Sequence, residues 1–265
     1  MKVQVLIAAL NQEKDIVKKL NIQTDAILSN QCDENKVEEF KYEKNNILCL
    51  NFKERGVGLN RNNALMRANA DVVLFADDDI CYVDGYEAII EKEFKKHPNA
   101  DMIVFNVVNK DERKRYEIKS SKRVHKFNCL RYGAVRIAVK LESIKKKNIY
   151  FNLLFGGGAK YGSGEDSIFI YDCIKSGMKV YTSPEIILTI PKSDSTWFEG
   201  YNEKYFYDKG ALMARIFGRK ANIIIPVFLL KNRKTIKKIK SKTAGRKISA
   251  RHHNYTKFQG KVNVY

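Results

Sequence analysis

No run of apolar residues approaches the roughly 18–20 needed to span a bilayer. The longest, 221–230, is about half that and contains Asn222 and Pro226. A polytopic membrane protein is therefore excluded. Proline is scarce, 4 in 265 residues, and 44% of the chain is hydrophobic, which excludes collagen-like, mucin-like and wholly disordered chains. The five cysteines are an odd number without a C-x-x-C pair and sit mostly in apolar, strand-like contexts, which suits reduced thiols and a cytoplasmic setting. The four histidines show no zinc-ligand spacing, and no Ser/His/Asp or Cys/His arrangement is evident. The start, MKVQVLIAALNQEKD, lacks an A-x-A-like cleavage site and runs into charged residues. It reads as a first buried strand rather than a signal peptide.

Acidic residues are absent after Asp208, where residues 209–265 hold 16 Lys and Arg. The whole chain has 49 basic and 30 acidic residues, so residues 1–208 keep 33 against 30, nearly neutral. The net charge of +19 thus belongs to a tail. The stretch RIFGRKANIIIPVFLLKNRKTIKKIKSK has three readings: docking on an anionic membrane surface, nucleic-acid binding, or a solvated helix. The membrane surface is favoured. Nucleic acid is disfavoured, because no recognition module accompanies the charge.

Strand-like and helix-like segments alternate through 1–108. Val3–Leu10 is a continuous apolar run, as a parallel strand covered on both faces requires. A short helix over 12–20, strands at 25–28 and 47–52, a helix over 59–69 and a strand at 72–76 follow. Asp84 is placed to cap a helix ending near His97, before a strand at 102–108. This order predicts an α/β domain with a mainly parallel sheet. The charged stretch 109–128 reads as a weakly structured surface excursion, a candidate flap. A strand at 134–139, a helix at 141–147, a helix at 167–176 and short strands at 179–182 and 186–190 complete the domain. One domain, 1–208, and a basic helical extension, 209–265, are expected.

Two motifs carry chemistry. Asp77-Asp78-Asp79 ends the strand VVLFA, and three adjacent carboxylates are tolerated when a divalent cation neutralises them. On an extended chain positions 77 and 79 share a side and 78 faces away. Glu165-Asp166 follows two glycine clusters, GGG at 156–158 and GSG at 162–164, and opens a helix. It reads either as a dipole-favoured cap or as a general base. The glycines match neither a P-loop nor a dinucleotide fingerprint. Trp197 lies in an aromatic-rich stretch that could stack on a sugar or lipid headgroup, or be core.

Together these residues resemble family-2-type glycosyltransferases of the GT-A fold, whose Rossmann-like central sheet carries helices on both faces. The likeness is carried by RGVGLNRNNALMRANADVVLFADDD and by LLFGGGAKYGSGEDSIFIYDCIKSGMKVYTSP. It implies a nucleotide-sugar half at 1–108 and an acceptor half at 109–208. It implies Mn²⁺ or Mg²⁺ held by Asp79 with Asp77, and a UDP-type sugar donor contacted by Asp77, Asp78 and Arg61. Ala8, Ala9, Asn11, Asn30 and Gln31 would line the base. Asp166 would be the catalytic base, with Glu165, Gly164 and Trp197 toward the acceptor, a glycan or a polyprenol-diphosphate-linked sugar. Work at the inner face of a cell membrane, in surface-polysaccharide synthesis, would follow. Ser29-Asn30-Gln31-Cys32 departs from the family's usual Asp-Asp-Gly-Ser, and no Q-x-x-R-W motif is present, against a processive polymerase. A sugar-nucleotidyltransferase or a non-enzymatic basic binding protein are the alternatives.

Overall fold

The computed structural model describes residues 1–109, 116–191 and 201–238. In chain order these form β1 (Val3–Leu10), α1 (Ile16–Lys19), β2 (Asp25–Gln31), β3 (Lys36–Tyr42), β4 (Asn45–Phe52), α2 (Val57–Arg67) and β5 (Val72–Asp77). Next come β6 (Cys81–Tyr82), α3 (Tyr86–Lys96), β7 (Met102–Asn109), β8 (Ile137–Lys140), α4 (Leu141–Lys147), α5 (Glu165–Lys175) and β9 (Val180–Ile190). Three helices end the described chain: α6 (Glu203–Phe217), α7 (Ala221–Lys231) and α8 (Arg233–Lys238). No helix among the described residues is long and apolar enough to cross a membrane.

The nine strands form one sheet in the order β3-β4-β2-β1-β5-β8-β7-β9-β6. Its first half, β4-β2-β1-β5, is parallel, and β7 pairs parallel with β9. The other pairings are antiparallel. The sheet is therefore parallel where β1 lies and mixed beyond β5.

Alternation along the strands builds two core layers. Val3, Val5, Ile7 and Ala9 of β1 and Val72, Leu74 and Ala76 of β5 face one side, with Ile16, Val17 and Leu20 of α1 and Tyr86, Ile90 and Phe94 of α3. Leu6, Val73 and Phe75 face the other, with Ala64 and Leu65 of α2, Leu141 and Ile144 of α4, and Phe169 and Ile170 of α5. A strand buried on both faces needs this unbroken apolar run. Phe75 meets the edges of Phe151 and Phe169 at 4.9 and 5.4 Å, and those two rings stack at 4.2 Å.

Several elements differ from the sequence expectation. The charged strand β3 was not anticipated; its Lys and Glu side chains suit an exposed sheet edge. Helix α3 has no side-chain cap. Gly85 precedes it in the left-handed region at φ 70°, and Asp84 instead accepts from the side chain of Asn21 at 2.9 Å. Residues 134–136 form a 3-10 turn, so β8 is shorter than expected. The two short strands near 180 and 188 are one strand, β9, with a register shift where it passes Pro184. The described part of the supposed flap is pinned: Ile118 and Val124 are buried, and Asn106 hydrogen-bonds both backbone groups of Ile118. Position 208 falls inside α6, so the change in charge there is no break in structure.

Candidate active site

The carboxyl ends of β1 and β5 open on a cleft of about 440 Å³, whose far wall is the start of α5. Helix α2 ties the two sides together through three consecutive residues. Asn60 donates to the backbone oxygen of Ser29 at 2.8 Å, and the Ser29 hydroxyl donates to the Asn60 oxygen at 3.1 Å. The Asn62 side chain holds both backbone groups of Phe151, donating to its oxygen at 2.9 Å and accepting from its N–H at 2.8 Å. Arg61, between them, is 4% exposed. Its Nη2 donates to Asp77 Oδ1 at 2.6 Å and its Nη1 to Glu165 Oε1 at 2.9 Å. The guanidinium also lies 5.3 Å from the centre of the Phe151 ring. Burial would lower the Arg61 pKa, but Asp77 and Glu165 more than reverse this and hold it above its ordinary value.

The glycines make room for this joint. A Cβ on Gly58 would lie 2.9 Å from the Asn152 carbonyl oxygen. Gly156, at φ 107°, could not carry one without meeting Val57 at 2.6 Å and Glu165 at 2.9 Å. Gly156 thus lets protein approach protein, whereas Gly157, Gly162 and Gly164 line the cleft. The Gly162 N–H is held by Asp208 Oδ2 at 2.9 Å, which fixes that turn against α6.

Asp166 lines the cleft in the first turn of α5, its Oδ1 accepting from the Ser167 N–H at 2.6 Å. Burial and the neighbouring charge of Glu165 push its pKa up to about 6, against the opposing pull of Arg61 and Lys209. Glu165 itself turns inward: besides Arg61 it accepts from the Gly164 N–H at 3.1 Å. Expected to contact the acceptor, it borders the cleft while its carboxylate is engaged in the joint.

Asp77 and Asp78 both line the cleft, and Asp79 does not. The expected pairing of 77 with 79 assumed an extended chain, but β5 ends at Asp77 and the chain then turns. Asp78 Oδ2 accepts from the Leu10 N–H at 3.1 Å and Gln12 Nε2 at 3.2 Å, and burial together with Asp77 raises its pKa. Asp79 is exposed just beyond. Among the described residues no three His, Cys, Asp or Glu side chains gather as a metal cage. The donor set instead suits a cation held by one or two carboxylates and completed by a bound phosphate.

The residues expected to line a base divide between two places. Ala8, Ala9 and Gln31 line the cleft, and Gln31 Oε1 accepts from the Gly56 N–H at 2.7 Å. Asn11, with φ 49°, and Asn30 border a neighbouring depression. There Asn30 latches Gln12 through both backbone groups, at 3.0 Å each, and donates to Asn51 Oδ1 at 3.0 Å. Trp197 lies outside the described residues. The cleft also contains Tyr116, Arg131, Tyr132, Arg136 and Lys209, none of them anticipated. The available signal was Arg136 inside the apolar run GAVRIAV; a buried arginine, here 3% exposed, needs a partner or a task.

Residues 24–158, half of the chain, match the model of glycosyl transferase family 2. The chain belongs to glycosyl transferase family 2. No curated protein matches it in sequence. Among solved structures, the crystal structure of S. aureus TarS 1-349 in complex with UDP-GlcNAc is similar, with a TM-score of 0.63 at 17% identity, covering 82% of this chain and 67% of that one. The longer S. aureus TarS structure gives 0.60 at 17% identity, covering 82% of this chain and 40% of that one. The TarS 1-349 complex with UDP gives 0.59 at 16% identity, covering 82% and 66%. At such identities the likeness establishes the fold. The molecule is a GT-A glycosyltransferase in the class expected from its two motif blocks.

Proposed function

We propose that this glycosyltransferase moves a sugar from a UDP-sugar to an acceptor hydroxyl by single displacement, with inversion at the anomeric carbon. One observation carries this reading: Asp166, its pKa raised to about 6, shares a cleft with the carboxyl ends of β1 and β5. In open α/β sheets that edge is where nucleotides bind. TarS, similar in fold, was crystallised with UDP and with UDP-GlcNAc, which makes uridine the first base to try.

The donor's nucleotide lies against Ala8, Ala9 and Gln31. Arg61 steadies Asp77 beside its phosphates. Asp166 takes the proton of the acceptor hydroxyl as that oxygen bonds to the anomeric carbon. The bond from that carbon to the diphosphate oxygen breaks, and the electron pair leaves with UDP. A base of pKa about 6 is ionised at neutral pH and accepts a proton more readily than an ordinary carboxylate. Asp77 and Asp78, the two carboxylates that line the cleft, would hold Mn²⁺ or Mg²⁺, whose positive charge would offset that of the leaving diphosphate.

Arg131, Arg136 and Lys209 in the cleft wall suit an acceptor that itself carries phosphate. A polyprenol-diphosphate-linked sugar of the kind used in surface-glycan assembly has that chemistry. The test is a thermal-shift series with UDP and UDP-sugars, each with Mn²⁺, Mg²⁺ or EDTA. A metal-dependent rise in melting temperature that Asp77→Asn abolishes is expected. No response to any uridine nucleotide overturns the donor assignment.

A further inference from the structure

Helix α7 carries apolar side chains on its outside. Ile223, Val227 and Leu230 are exposed to 73%, 48% and 66%. Their i, i+4, i+7 spacing places them on one face, with exposed Pro226 beside them. The inward side is already satisfied, since Ala221 and Ile225 are buried against Phe206 of α6. A surface helix in water normally shows the reverse pattern, apolar inward and polar outward.

Cations flank this face at both ends. Arg219 and Lys220 are exposed before it, and Lys231, Arg233 and Lys234 after it. No carboxylate follows Asp208 in the sequence. A second apolar group adjoins. Phe127, 76% exposed, stacks on Phe217 at 6.4 Å with 12° between the ring planes. Phe217 is the last residue of α6, and only the three-residue turn Gly218–Lys220 separates it from Ala221, where α7 begins. Beside Phe127 lies Arg131, which also lines the catalytic cleft.

We propose that α7 and Phe127 form one membrane-docking surface: the exposed apolar face enters the acyl boundary of an anionic bilayer while Arg219, Lys220, Lys231, Arg233 and Lys234 meet its headgroups. At 11 residues α7 is about 16 Å long, half of what spanning requires, so it lies in the plane of the interface. A second copy of this chain fits the surface less well. A two-fold contact would set each cationic rim against its own copy with no carboxylate from this region to offset it. Nucleic acid would match the cations but leave the apolar face unused. The surface lies outside the cleft, so docking and sugar transfer are measured separately.

The experiment is co-sedimentation of the full chain with phosphatidylcholine vesicles, with and without phosphatidylglycerol, at low and high salt. Binding to the anionic vesicles is expected, weakened but not abolished by salt, because screening acts on the cations and not on the apolar face. The variant Ile223→Ser/Val227→Ser/Leu230→Ser is expected to lose on the order of a hundredfold in partition while keeping its melting temperature and nucleotide response. Should the triple variant fail to fold, Ile223→Ser alone, at the most exposed position, is expected to lose several-fold. Partition unchanged in the serine variants overturns the proposal, since charge alone would then hold the protein. A parent chain that ignores anionic vesicles overturns it too, as does one that runs as a dimer the substitutions split.

Discussion

Arg61 and Glu165 stand 104 residues apart in the chain and meet at 2.9 Å, in the joint through which Arg61 also holds Asp77. One guanidinium thus neutralises a carboxylate from each side of the cleft. Arg61→Gln leaves both without it. Breaking a buried pair by removing one partner costs about 3–5 kcal/mol, and the half-exposed Asp77 moves the expectation to the lower end. The double variant Arg61→Gln/Glu165→Gln, which removes the more buried stranded charge, should recover part of that loss. Urea unfolding midpoints of the single and double variants measure it, and strictly additive losses would dissolve the coupling.

Asp166→Asn keeps the shape of the side chain and removes its basicity. Turnover should fall about 10²–10⁴-fold with little change in UDP-sugar affinity. Isothermal titration beside a transfer assay separates the two, and a parallel loss of binding would count against a base at this position.

The pH profile follows from the same group. With a pKa of about 6, kcat/KM should rise through pH 6 and level off above it. Lys209 is among the charges that pull this pKa down, so Lys209→Met should move the midpoint upward. Stability runs the opposite way. A carboxyl whose folded pKa is raised binds more protons folded than unfolded, so its stabilising contribution is full below the ordinary value near 3.8 and is lost as pH rises through about 6. At neutral pH Asp166→Asn should therefore be neutral or stabilising in thermal denaturation, while inactive.

Asn62 binds Phe151 through both backbone groups in a buried setting. Asn62→Ala strands that N–H and C=O and should cost about 2 kcal/mol in chemical denaturation. It also frees the ring beneath Arg61, so a rise in KM for the donor is expected.

Much of this was legible because it depends on local pattern. Val3–Leu10 reads as a doubly covered strand, and Arg61, Asp77 and Asp166 stand in motifs whose surroundings restrict their place in a GT-A sheet. What escaped depends on tertiary position. Arg131 and Lys209 look like ordinary surface cations until the turns before β8 and helix α6 bring them to the cleft, and Arg136, set in an apolar run, signals burial without saying where. Asn30 had the right strand end, but its amide is consumed by Gln12 and Asn51. Asp79 was paired with Asp77 by the period of a strand that stops two residues earlier. The charged edge β3 hid because edge protection and loop composition look alike.

Helix α6 acts as a ruler. Near its middle, Asp208 fixes the Gly162 turn and Lys209 reaches the Ser163 hydroxyl at 3.4 Å; at its end, Phe217 stacks on Phe127. Eight residues separate Lys209 from Phe217, about 12 Å of helical rise. A lipid-borne acceptor would have to project its sugar through a distance of that order. Lengthening or shortening α6 by a turn would then change which hydroxyl arrives at Asp166 without altering a single catalytic group.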